Sequence, residues 1–147
     1  MITMIERINA ARAAHGLPPL AESAALAQAA RDHAADLSRN EWLIAQRRWH
    51  EGSDGSSISD RLIRAGYRGA RWRENVGWGF GGDEAQMFDW WMGSPVHRDA
   101  ILAADVTEVG AARVFVPSSP WGYYWAVDFG RPAAAPTAKV CPCCGRG

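Results

Sequence analysis

Cysteine is missing from the first 140 of the chain's 147 residues, because Cys141, Cys143 and Cys144 all fall at the C-terminal end. No disulfide can therefore form within the body of the protein, and packing alone must hold it together. Net charge is missing too: sixteen basic and sixteen acidic side chains cancel. Without a whole-molecule field, counterion release has little to offer a nucleic acid or an anionic membrane. The local pairs Arg47 with Arg48 and Arg71 with Arg73 read as solvated arginines covering apolar surface, so no nucleic-acid partner is expected. No run reaches the ~18 consecutive apolar residues of a membrane-spanning helix, and the start has no basic region followed by an apolar stretch, so no transmembrane segment and no signal peptide are expected. The motif inventory lacks a GxSxG nucleophile elbow and a GxxxxGK phosphate loop.

What is present is enough chain for one domain with a true core, and eight tryptophans to fill specific places. Ile5, Ile8 and Ala11 recur at helical spacing from Ile2 to His15, before Gly16 and the pair Pro18, Pro19 end the pattern. A second helix is expected from Ala21 to about Arg39, with Leu26, Ala30, His33 and Leu37 on one face. Ser57 and Asp60 form a capping box for a short helix over Ile58 to Ala65, closed by Gly66. After the glycine-rich stretch 77–82, Asp83 starts a helix with Met87, Phe88, Trp91 and Met92 as a bulky stripe. Ser94 and Pro95 then open another, which puts His97 in its first turn. The β-branched run Val106 to Val116 and the alternation of Tyr123, Trp125, Val127 and Phe129 predict a hairpin turning at 117–122. Helices packed on a small antiparallel sheet follow, an α/β (α+β) fold over residues 1–132. From 133 a linker-like tail leads to the cysteines.

Three residues ask for an explanation. Alternation between Arg71 and Trp78 puts Glu74 on one face with Trp72, Val76 and Trp78, and Arg71, Arg73 and Asn75 on the other. A carboxylate among tryptophans needs a cationic or hydrogen-bonding partner nearby; the plainer alternatives are a salt bridge to Arg71 or Arg73, or a strand that stops before Glu74. His97 in a helix's first turn is favoured as the neutral imidazole, the form that binds metals. His50 stands between Trp49 and a glycine-serine loop, where a side chain can face a cleft.

The stretches Trp49-His50-Glu51-Gly52-Ser53-Asp54-Gly55, Glu74-Asn75-Val76 and Trp91-Met92-Gly93-Ser94-Pro95-Val96-His97-Arg98 occur in that order. With Gly16-Leu17-Pro18-Pro19-Leu20 and the closing Tyr124-Trp125-Ala126-Val127-Asp128-Phe129-Gly130, residues 2–132 resemble the CAP superfamily. Its SCP domain is shared by cysteine-rich secretory proteins, antigen 5 and pathogenesis-related proteins, and this chain resembles the bacterial, disulfide-free type. The resemblance implies a three-layer α-β-α sandwich with a small, largely antiparallel sheet. It also implies a cleft at His50, Glu74 and His97 that often takes zinc or another divalent cation. The second glutamate of the eukaryotic pattern is replaced here by Gly93 or Ser94, with Asp54 or Ser94 as candidate substitutes, and Val127 stands where a polar residue is common.

Two classes of function follow. In the first expectation the cleft, with Asp54, Trp78, Trp91, Ser94 and Tyr124, binds a peptide, glycan or lipid. The alternative is a metal-dependent hydrolase or peptidase in which His50 and His97 are ligands and Glu74 completes the shell or activates water. Cys141 and Cys144 form half of a zinc knuckle, leaving either a monomer or a zinc-bridged dimer through the tails. Compartment hints oppose each other: relatives are mostly exported, while free terminal cysteines favour a reducing cytoplasm.

Overall fold

A computed structural model describes residues 1–134; the cysteine-bearing end of the tail, with Cys141 and Cys144, lies outside the described residues. The element order is α1 (Met4–Ala14), β1 (Ala21–Glu22), α2 (Ala24–Arg39), α3 (Trp42–Ala45), α4 (Ile58–Arg64), β2 (Gly69–Trp78), a 3-10 turn (Phe80–Gly82), α5 (Glu84–Met92), α6 (Pro95–Ile101), β3 (Glu108–Phe115) and β4 (Tyr123–Pro132). Most boundaries follow the capping chemistry. Ser57 and Asp60 form the reciprocal box at the start of α4, and Asp83 caps α5 through the Gln86 amide. The second helix begins later than its spacing predicts. Ala21 and Glu22 pair with β3 as a two-residue strand, and Ser23 then caps the helix through the Leu26 amide. The short α3 carries too few residues to show a period and was not expected.

The sheet runs β1-β3-β4-β2, parallel only between β1 and β3 and antiparallel elsewhere. Strand alternation gives it two buried faces. One packs on α1, α5 and α6 through Ile8, Met87, Trp91, Ile101, Trp125 and Phe129. The other packs on α2 through Ala30, Ala34, Leu37, Val76, Tyr124 and Ala126. The result is the three-layer α-β-α sandwich implied above. Small residues set the α2 contact: a methyl group added at Gly110 on β3 would collide with the backbone of Leu26 and Ala27, so the helix lies directly on the strand. This close seating puts His33 of α2 over the row where β2 and β4 carry their only acidic residues.

Candidate functional site

Glu74 is the centre of the polar network on the α2 face. Its side chain has no solvent exposure, and the guanidinium of Arg61, from α4, grips it with Nη1 2.7 Å from Oε2 and Nη2 3.1 Å from Oε1. His50 donates from Nδ1 to Oε1 at 2.9 Å, and Arg61 Nη2 also reaches the His50 carbonyl at 2.8 Å. His33, fully buried, donates from Nε2 to the Trp49 carbonyl at 2.6 Å, with that nitrogen 3.6 Å from Glu74 Oε1. Burial works to raise the Glu74 pKa, but the His50 hydrogen bond, His33 and Arg61 together outweigh it and hold the carboxyl well below the usual carboxylate range. His33 goes the other way: desolvation outweighs the attraction of Glu74 and lowers its pKa, so the ring is neutral at physiological pH and adds its charge to the hold on Glu74 only in acid.

The cation that Glu74 requires is thus Arg61, and not Arg71 or Arg73. Those two lie on the opposite strand face, where Arg73 pairs with Asp105 at 3.0 Å and Arg71 turns back to the Ala70 carbonyl. Two further polar residues, quoted above only as members of longer stretches, were given no role there. Asp128 of β4 is directly opposite Glu74 in the strand register and is completely buried. Asn75, on the other face of β2, donates from Nδ2 to the His97 carbonyl at 3.0 Å and so ties α6 to the sheet.

His97 lies against the indole of Trp90, ring centres 5.0 Å apart. Ser94 makes no side-chain cap for α6; its hydroxyl is instead 2.8 Å from His97 Nδ1. Desolvation, and then the nearby His50, lower the His97 pKa, so the ring is neutral at physiological pH, as its helical position predicts. With both Nδ1 atoms engaged, His50 and His97 each keep Nε2 as the available nitrogen.

His97 closes a groove of about 400 Å³ whose walls include Trp49, Val76, Trp78, Phe80, Met87 and Trp90. Gly77 forms its floor, where an added methyl group would run into the Met87 thioether. Of the expected ligand-cleft residues, only Trp78 lines this groove. Trp91 and Tyr124 are fully buried in the core, with Trp91 Nε1 donating to the Val76 carbonyl at 3.0 Å, so these two expected cleft aromatics are packing. Asp54 belongs to a separate polar cleft of about 440 Å³ between α2 and α4. There the Ser56 hydroxyl and amide, and then Arg64, hold its carboxyl down at about 2. Among the described residues no cluster of three or more His, Cys, Asp or Glu has a metal-binding arrangement. Glu74 is fully engaged behind His50, which leaves two imidazole nitrogens where a catalytic zinc uses three protein ligands.

Comparison with known proteins decides the family. The family described as CAP, the cysteine-rich secretory protein family, matches residues 5–129. This chain belongs to it. The CAP fold is also found in three bacterial structures. An extracellular protein containing a SCP domain from Bacillus anthracis str. Ames is 23% identical, with a TM-score of 0.73 over 87% of this chain and 39% of its own. An outer surface protein from Borrelia burgdorferi is 18% identical, with a TM-score of 0.68 over 88% of this chain and 90% of its own. A cysteine-rich secretory protein from Staphylococcus aureus subsp. aureus Mu50 is 23% identical, with a TM-score of 0.59 over 86% of this chain and 36% of its own. The CAP chain therefore spans well under half the length of two of these proteins, and identities this low speak for the fold alone. No curated protein sequence matches it. The descriptions of these structural neighbours are extracellular, outer-surface or secretory, and lend no support to the cytoplasmic hint drawn from the tail cysteines. No helix among the described residues is long and apolar enough to cross a membrane.

Proposed function

We propose that this CAP domain is a binding module whose groove between Trp49, Trp78, Phe80 and Trp90 takes a ligand with an extended apolar face, a peptide, glycan or lipid, oriented by the neutral imidazole of His97. One observation carries the reading: the groove is walled by aromatic side chains, and among the described residues His97 is the only titratable group lining it. Aromatic surface with one placed polar group is the composition of a ligand pocket. Hydrolysis would need an activated base facing the ligand, whereas both oxygens of Glu74 already accept from Arg61 and His50. A second reading is favoured by the two Nε2 atoms, each on a ring held through Nδ1, as metal-binding histidines usually are. They suit a weakly held divalent ion more than a catalytic one.

The test is a parallel screen of soluble glycans, acyl-chain amphiphiles and peptides by intrinsic tryptophan fluorescence. Wild type is compared with Trp90→Ala and with His50→Ala plus His97→Ala. Binding that weakens about tenfold or more in Trp90→Ala supports the groove. A bound ligand indifferent to Trp90 would sink it. Zinc titration by calorimetry on the same proteins addresses the second reading, which fails if the double histidine variant binds zinc as the wild type does.

A further inference from the structure

Asp128 is used by neither reading of the groove. On the face covered by α2, the register places it between Glu74 of β2 and Gly110 of β3. Directly opposed residues on neighbouring strands project to the same side, so the two carboxyls are neighbours. Asp128 has no solvent exposure, and neither of its oxygens accepts a hydrogen bond from any donor among the described residues. The charged groups that act on it are Glu74 from β2 and Arg61 from α4, with His33 of α2 3.6 Å from the Glu74 carboxylate, while β3 contributes Gly110. Arg61 directs both terminal nitrogens to Glu74 and the His50 carbonyl, and His33 directs Nε2 to the Trp49 carbonyl. An ionised Asp128 would be a buried charge with no donor and a second carboxylate beside it, a placement that proteins avoid by keeping the proton.

We propose that Asp128 stands in the folded protein as a neutral carboxylic acid that shares its proton with Glu74, which makes it a positioning residue for the Glu74–His50 pair. No proton is transferred: it stays on an Asp128 oxygen as the donor, and Glu74 keeps its negative charge for Arg61 and for the His50 Nδ1–H. Desolvation and the Glu74 charge both push the Asp128 carboxyl well above its ordinary value, in agreement with this geometry. The assignment holds whatever the groove binds.

The sign of a pH profile tests it on the full chain. An acid whose pKa is raised by folding keeps a proton that the unfolded chain has lost, so its contribution to stability falls as pH climbs above about 4. Asp128→Asn offers Glu74 an amide donor that does not titrate. The difference in Tm, variant minus wild type, is therefore expected to grow from pH 4 to pH 7. A difference that is flat, or that shrinks with pH, overturns the proposal. Carbon-13 titration of the wild-type Asp128 carboxyl decides the matter even if the variant fails to fold: protonated at pH 7 supports it, ionised overturns it. For the positioning role, Asp128→Leu has similar bulk and no donor. It is expected to move the Glu74 carboxyl and His50 Nδ1 resonances, while Asp128→Asn restores them; unmoved resonances in the leucine variant reduce Asp128 to packing and overturn that role.

Discussion

The two faces of one sheet are built on different principles. Under α1, α5 and α6 the contacts are large and dry, with Trp91, Trp125 and Phe129 fully buried; most side-chain donors there reach backbone carbonyls, while Trp125 Nε1 has no hydrogen-bond partner among the described residues. Arg12, for example, donates to the carbonyls of Pro18, Ile101 and Ala103 and meets no carboxylate. Under α2 the side chains are mostly small, and the middle of the layer holds Glu74, Asp128, Arg61 and His33. Bulk stabilises the first face by area removed from water. The second gives up bulk so that a helix can sit on the strands and hold a polar network, and it is there that His50 is anchored.

Breaking the network should produce the largest effect and also reveal its character. Arg61→Met leaves Glu74 buried without its guanidinium and is expected to cost about 3–5 kcal/mol in urea unfolding. Arg61→Met with Glu74→Leu should recover most of that, because an apolar pair in place of a buried ion pair is often close to neutral. A double variant as unstable as the single one would mean that Arg61 matters through its bond to the His50 carbonyl. On the dry face Trp125→Ala should cost a similar ~3–5 kcal/mol, with no partner substitution to restore it.

Two of the close-approach glycines, one on each face, sharpen the contrast. At Gly110 an added methyl group meets the α2 backbone, which can yield only by lifting the helix, so Gly110→Ala should cost about 3 kcal/mol or more. At Gly77 the obstacle is the flexible end of Met87, and Gly77→Ala should cost about 1–2 kcal/mol while narrowing the groove. Equal losses in thermal unfolding would contradict the tight seating of α2. Acid should also act on the α2 face. The Glu74 carboxyl is depressed by folding, so its stabilisation is complete above an unfolded value of about 4.3 and is lost as pH falls below it. A Tm series from pH 6 to pH 2 should therefore show a steeper acid limb in the wild type than in Glu74→Gln.

The same division explains what could be read in advance. Local signals resolved well: the Ser57–Asp60 box, Asp83, Pro95 after Ser94 and the β2 alternation are features of neighbouring residues, and each marks an observed element. Alternation also put Arg71 and Arg73 on the face opposite Glu74, where the structure pairs them with the Ala70 carbonyl and Asp105 in place of the expected salt bridge to Glu74. That the partner is Arg61 depends on how α4 docks, and that Asp128 faces Glu74 depends on the β2–β4 register; neither leaves a mark in local spacing. Trp91 and Tyr124 mislead for a related reason, since a stripe of aromatics looks the same whether it lines a groove or fills a core. Trp90, one residue from Trp91, is the one turned outward, 49% exposed beside His97.

The smallest expected effect concerns Ser94, and it separates stability from site geometry. A serine at a helix start ordinarily caps it, and its loss then costs about 1 kcal/mol. Here the Ser94 hydroxyl makes no cap and is committed to His97 Nδ1, while Pro95 fixes the first turn on its own. Ser94→Ala should therefore change thermal stability by about 0.5 kcal/mol or less, below the usual range for a lost cap. It should still alter the tautomer balance of the His97 ring, read from its nitrogen-15 shifts, because the bond that fixes Nδ1 is gone. A loss of stability as large as that of an ordinary cap, with the tautomers unchanged, would return Ser94 to the helix. The opposite result places it with the groove, since the face of the protein that carries His97 has then exchanged a cap for control of one imidazole.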